Sequence, residues 1–267
     1  MHGRMKLVSL LIIAVLVLSS ISCISLDLGD LGIERVEVGE TQEESQVIEL
    51  EDVDEIRADV RVGTGNLDIR GGASELLEAD FTYNISEWKP EVTYSEGRIT
   101  VRQPSVKKLP SSDDIEYEWD LRFNDAVPMD LRLEIGAGEG TLDLSSLSVT
   151  NLDMKLGAGN VEVDLRDNAS LERLELDMGA GDLMLDLRGA WEDDVYVNIQ
   201  GGVGQINLTL PEDIGVRVDV TKGIGSLEAE GFRIKDGDYV NDAYGELDVT
   251  LNVVLQAGVG QVTLELD

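Results

Sequence analysis

The pair Gly-x-Gly returns along this chain at a nearly constant interval, and the apolar residues around it return with it. Copies stand at Gly63 and Gly65, Gly136 and Gly138, Gly157 and Gly159, Gly179 and Gly181, Gly202 and Gly204, Gly223 and Gly225, and Gly258 and Gly260. Between first glycines from Gly136 to Gly223 the gaps are 21, 22, 23 and 21 residues. A period of that size means a stacked repeat array, because one unit cannot cover its own apolar face and needs a neighbour on each side.

The repeat is a strand pattern. Leu152, Met154 and Leu156 precede Gly157, and Val161, Val163 and Leu165 follow it, with Asp, Lys, Asn and Glu between them. Alternation at period two marks a sheet with one buried and one wet face. The step from Leu156 to Val161 is an odd number of residues, so an unbroken strand would turn half of its apolar set toward water. A bulge or corner must absorb the slip, and glycine suits it by reaching positive φ and letting adjacent backbones approach closely. A nucleotide-binding reading fails, since the G-x-G-x-x-G spacing is absent and no helical pattern follows any copy. The fold class is therefore all-β: a β-solenoid of single-strand turns preceded by a smaller β section. An antiparallel meander or sandwich is the alternative, because a repeat of this length also accommodates a hairpin series.

In-register stacking places Arg132 beside Asp153 and makes one column of Glu134, Lys155 and Asp177. A second column holds Asp143, Asp164 and Asp186, with Arg166 and Arg188 two residues further on. Calcium is the sharper reading of that column. The nine-residue calcium repeat of β-rolls is missing, however, and a solvated acidic face accounts for the pattern.

The N-terminus has the form of an export signal: Arg4 and Lys6, then an uncharged run from Leu7 to Leu18, then Ser19 to Ser22 before Cys23. Cys23 is the only cysteine, so no disulfide forms within one molecule. A bacterial lipobox reading makes Cys23 the lipidated first residue after cleavage. An uncleaved helix is the competitor, since Leu7 to Leu26 is long enough to span a bilayer, and free secretion is a third outcome. In each case the positive-inside rule puts the bulk of the chain outside. Removal of residues 1–22 leaves 19 basic against 54 acidic residues, a formal charge of −35. Nucleic acid is excluded as a partner, because a binder must neutralise phosphates with Lys and Arg.

Residues 1–22 thus form the export or anchor segment and residues 23–46 an acidic tether too poorly patterned to fold alone. A β section follows over 47–127, in which Tyr117, Trp119, Leu121 and Phe123 alternate with polar residues and line a core, and Pro104 to Asp114 reads as an exposed loop. The repeat array fills 128–267. Its last interval is longer, and the surplus falls in Gly231 to Gly245, where Asp236-Gly237 signals a hairpin. That insertion is a candidate contact site.

The runs Val62-Gly63-Thr64-Gly65-Asn66-Leu67-Asp68-Ile69, Gly71-Gly72-Ala73, Phe81-Thr82-Tyr83-Asn84 and Trp88-Lys89-Pro90-Glu91-Val92 resemble the N-terminal toast-rack domain of prokaryotic envelope proteins. The resemblance continues through Leu133 to Gly138, Thr141 to Leu144 and the later Gly-Ala-Gly and Gly-Val-Gly units. It implies an extracytoplasmic β-solenoid, found in membrane proteins linked to envelope stress and cell-wall-antibiotic response, with no catalytic site. Related regulators often carry several membrane helices before the domain, whereas this chain has a single exported segment.

The inventory argues against catalysis. The sole histidine, His2, lies in the export segment, so the exported part offers no imidazole for a triad or a metal shell. Carboxylate chemistry of the glycosidase kind is what remains, and Trp88, Trp119 and Trp191 are the indoles available for stacking sugars. Sequons at Asn84, Asn168 and Asn207 are acceptors for glycosylation outside the cell.

The resulting expectation is a non-catalytic, membrane-anchored interaction or scaffold protein of the envelope, without cofactor or metal, meeting an unidentified envelope protein or glycan. An envelope-stress regulator and a surface polysaccharide binder or hydrolase are the alternatives. Mass spectrometry of the mature N-terminus is expected to yield a peptide beginning at a lipid-modified Cys23; a peptide retaining Met1 contradicts it.

Overall fold

The computed structural model describes residues 35–105, 108–189 and 191–267. The first strands are short apart from β3: β1 (Arg35–Val36), β2 (Gln42–Ile48), β3 (Ile56–Arg70), β4 (Leu77–Tyr83), β5 (Glu91–Ser95), β6 (Arg98–Arg102), β7 (Leu109–Pro110) and β8 (Tyr117–Phe123), with one 3-10 turn at Ser86–Trp88. The long strands β9 (Met129–Asp143), β10 (Val149–Asp164), β11 (Arg173–Asp186), β12 (Val195–Leu210) and β13 (Gly215–Ala229) follow, then β14 (Arg233–Lys235), β15 (Asp238–Val240) and β16 (Thr250–Leu266). The chain is all-β, as the alternation predicts, and no α-helix occurs among the described residues. The export segment, His2, Cys23 and the tether up to residue 34 lie outside the described residues. Further along the expected tether the prediction gives way: β2 pairs antiparallel with β4 from Gln42↔Tyr83 to Ile48↔Leu77.

Each long strand is bent at its glycine pair. In β9 the side chains of Leu131, Leu133 and Ile135 are buried before the pair and Leu142 after it, followed by Leu144 just past the strand, so both halves turn their apolar set to one interior. A Cβ built on Gly140 would lie 3.2 Å from Ile135 Cδ1, which places the two arms of the strand face to face across the bend. The two glycines have different duties. A Cβ on Gly157 would stand 2.2 Å from the carbonyl oxygen of Gly136 in the strand below, so only hydrogen fits between the layers. Gly159 has φ +137°, and a Cβ there would come within 1.8 Å of Gly138 O.

The long strands pair in parallel and in register, glycine upon glycine: Gly138↔Gly65, Gly159↔Gly138, Gly181↔Gly159 and Gly204↔Gly181. Parallel pairing removes the antiparallel meander as an account of the array. Past β12 the spatial order departs from the chain order and reads β12, β16, β13. One core column explains why. Ile135, Leu156, Met178, Gly201, Ala257 and Lys222 succeed one another at the same register position. At the half-buried position that Gly201 and Ala257 hold, Lys222 would give up part of its hydration, which is costly for an ammonium. In the outermost long strand it stays exposed and its Nζ donates to Gly225 O at 2.9 Å. The segment Gly231 to Gly245 carries the chain back and forms the expected hairpin, with Asp236 (φ 56°) and Gly237 (φ 103°) in the turn.

At the opposite end, β3 meets two partners at once. Its first half pairs with β6 and its second half with β8, and β4 and β2 extend the β8 side. The wedge between them holds the aromatic residues. Phe81 and Trp119 meet edge to face with centroids 5.3 Å apart, as do Trp88 and Tyr117 at 5.6 Å. Tyr117, Trp119, Leu121 and Phe123 are all buried, as expected. The predicted loop Pro104 to Asp114 includes β7, which pairs with β1.

Two of the three sequons are closed. Asn84 accepts from Glu116 N and donates to Asp114 O, and Asn168 donates to Leu144 O from a position only 2% exposed. These amides fasten turns in the folded chain, which withdraws them as glycan acceptors.

Gly159→Ala is expected to destabilise the fold by more than about 2 kcal/mol, from left-handed strain and backbone overlap together. Asn168→Ala is expected to cost about 1–3 kcal/mol by orphaning a buried carbonyl. Chemical denaturation followed by circular dichroism checks both.

Candidate functional site

The outward side chains of the stacked strands form columns, because parallel register repeats each position at the strand spacing of about 4.8 Å. The first column runs Arg61, Glu134, Lys155, Asp177, Gln200. Its charges alternate as the sequence predicts: Arg61 stands 4.0 Å from Glu134, and Lys155 3.9 Å from Asp177. Arg132 and Asp153 meet at 3.7 Å beside it. Such exposed pairs contribute little stability each, but they fix a regular charged face.

The second column brings Asp143, Asp164 and Asp186 together in register. Arginine, not a cation site, is what the geometry supplies there. Arg166 Nε lies 3.0 Å from both oxygens of Asp164 and 3.7 Å from Asp186, and Arg188 Nη2 is 2.7 Å from Asp186 and also grips Asp267. Among the described residues no group of three or more carboxylates, histidines or cysteines is arranged to hold a metal. Burial pushes the Asp164 carboxyl up, but the Arg166 side chain and backbone N–H pull it further down, so its net shift is downward.

Among the described residues, the aromatic groups that the sequence offered for chemistry are engaged in the core. Tyr117, whose hydroxyl donates to Trp88 O at 2.6 Å, is raised by burial and serves the core. Trp88, Trp119 and Trp191 are 6%, 1% and 5% exposed, so none offers an indole face to a sugar. The hairpin expected as a contact site does stand at the surface, with Ile234 exposed.

The bend itself holds a feature that the column argument missed. Along the stack, Gly136, Gly157, Gly179 and Gly202 line an open groove of about 620 Å³, bordered by Glu134, Lys155, Asp177 and Gln200. Beside it the residue between each glycine pair projects outward, giving a ladder of Thr64, Ala137, Ala158, Ala180, Val203, Val259 and Ile224. The last three are 55%, 46% and 76% exposed. Their flanks are Gln200, Gln256 and Thr221 on one side and Gln205, Gln261 and Ser226 on the other. In a chain of formal charge −33, the bends of β12, β16 and β13 therefore carry no carboxylate. The signal was present in the sequence as the change from Gly-Ala-Gly to Gly-Val-Gly and Gly-Ile-Gly.

The family model described as the N-terminal domain of toast_rack matches residues 37–170 and 167–209. Among solved structures, a proposed cell adhesion protein from Clostridium sporogenes is 28% identical, with a TM-score of 0.64 over 85% of this chain and 100% of that one. A proposed adhesin from Bacteroides fragilis is 10% identical, with a TM-score of 0.49 over 86% of this chain and 99% of that one. No curated protein matches the sequence.

The lowered Asp164 carboxyl sets a pH dependence. Its stabilising contribution is complete above the ordinary aspartate pKa and is lost as pH falls through the depressed folded value, so the window lies below about pH 4. Arg166→Ala is expected to flatten the acid limb of a thermal-melt series between about pH 5 and pH 2, leaving the neutral-pH fold intact.

Proposed function

The chain belongs to the toast-rack family, and from that premise we propose that it is a non-catalytic adhesion or interaction module displayed outside the cell membrane. In this reading the export segment supplies the attachment, through lipid on Cys23 or an uncleaved helix, and the ladder of bent strands is a β-solenoid that stands off the surface as a rigid body. Parallel pairing of β9, β10, β11 and β12 with a long strand on each side gives that rigidity, since none of these rungs moves without breaking two ladders of hydrogen bonds. The charged faces keep the protein soluble and discourage indiscriminate contact.

The observation that carries the proposal is the exposed apolar ridge of Val203, Val259 and Ile224, which has no carboxylate in its bends. Contiguous exposed apolar residues on an otherwise acidic surface mark an interaction site, and glutamine, threonine and serine at its borders supply hydrogen bonds, with Lys222 the one charged residue in the three bends. Its partner is an envelope protein or glycan. The likeness to a proposed cell adhesion protein over nearly the whole of both chains supports adhesion above enzymatic activity. The buried state of the three tryptophans weighs against the polysaccharide hydrolase alternative.

Beads coated with the chain are expected to be retained by intact cells of the organism that makes it. The triple variant Val203→Ser, Val259→Ser, Ile224→Ser is expected to fold normally and to lose roughly tenfold in retention, as hot-spot truncation does. Equal retention of the variant would remove the ridge as the contact surface.

A further inference from the structure

The strand β16 occupies a slot that the chain order does not assign to it. It lies between β12 and β13, pairing in parallel with β12 from Val195↔Leu251 to Leu210↔Leu266 and with β13 from Gly215↔Thr250 to Ala229↔Leu264. At their base the two walls are also tied to each other directly. β13 is joined to β12 by the short turn of residues 211–214, and its start is paired with β15 through Arg217↔Val240 and Val218↔Tyr239. Arg217 Nε bonds Asp238 at 2.6 Å. Asn241, 1% exposed, donates to Ile214 O at 2.6 Å and accepts from Val216 N at 2.9 Å. Between that anchor and the start of β16 lie residues 242–249, in which Gly245 has φ +83° and Leu247 is 51% exposed.

The slot is selective. A Cβ on Gly258 would come within 2.3 Å of Gly202 O, and one on Gly223 within 2.3 Å of Gly258 O, so an occupant needs glycine at that height. A Cβ on Gly260 would stand 1.7 Å from Gly204 O, which adds a second glycine two residues on. The same occupant must fill the interior with the positions of Leu251, Val253, Leu255, Val262 and Leu264, each at most 2% exposed. An ordinary extended peptide fails these conditions, whereas the β16 of another copy meets them all.

We propose that β16 is an exchangeable rung, and that copies of this chain associate by each inserting its β16 into the slot of the other. The stretch 242–249 is the hinge, and at about 3.3 Å per extended residue it reaches roughly 26 Å. Exchange preserves every hydrogen bond of the slot and alters only the hinge, which is why such swaps cost little. The proposal goes beyond the adhesion reading and does not depend on it.

Gln205 and Gln261 are register partners across β12 and β16, and they test the exchange. Full-length chains carrying Cys23→Ser, one with Gln205→Cys and the other with Gln261→Cys under different affinity tags, are produced together in one cell, purified in a nonionic detergent and oxidised. A disulfide-linked dimer bearing both tags is expected, several-fold stronger than from a control pairing Glu162→Cys with Gln261→Cys, because Glu162 lies two strands away from β12. A mixed-tag dimer no stronger than the control overturns the proposal. So does a dimer that persists when the Gln205→Cys, Gln261→Cys double variant has first been locked within single chains. Circular dichroism melts that match the parent chain establish that each variant folds.

Discussion

The close stacking of glycine backbone on glycine backbone governs the rest of this architecture. At every bend a glycine carbonyl of one strand points at the α-carbon of the glycine above it, leaving 1.6–1.8 Å to the place where a Cβ would be at Gly138, Gly159, Gly181, Gly204, Gly225 and Gly260. That contact turns a flat strand into a two-armed rung, and the two arms face each other across an interior that neither could enclose alone. Stacking is then forced, since each rung exposes a full apolar stripe on either side until another covers it. Register follows as well, because a slip by one residue would lift a side chain into the gap and turn the aliphatic set outward.

The two ends of such a stack need different solutions. At β3 the glycine ladder is closed by foreign groups: Gln103 Oε1 accepts from Gly63 N at 2.7 Å and from Thr64 N at 3.1 Å, and the Tyr117 carbonyl stands over Gly65. The arms then separate into the β6 and β8 sides, with aromatic residues filling the widening interior. At β13 the solution is a lysine. Lys222 takes the core position that aliphatic residues hold lower down and binds the last carbonyl of the bend, while the β14–β15 hairpin covers the beginning of the strand. Lysine on an edge strand resists further pairing.

Surface chemistry is distributed along the described part of this body in lines. Alternating charge on one arm, arginine-bound aspartates on the other, and an apolar ridge free of carboxylates at the bend are three stripes of different chemistry on one frame.

Local residues carried much of this. The period of the glycine pairs, the odd step from Leu156 to Val161 and the alternation around them dictated strands, corner and register, down to the pairing of Lys155 with Asp177, because each depends only on spacing along the chain. Tertiary structure alone decided the order β12, β16, β13: repeats of equal pattern are interchangeable in sequence, and the cost of burying Lys222 is felt only once neighbours are assigned. It also decided the fate of Asn84 and Asn168, whose sequons read the same whether the amide faces water or closes a turn. The pairing of Gln42–Ile48 with β4 was likewise invisible, since an edge strand with water on one side needs little apolar residue of its own. Spacing is a property of the chain; burial is a property of what the chain finds beside it.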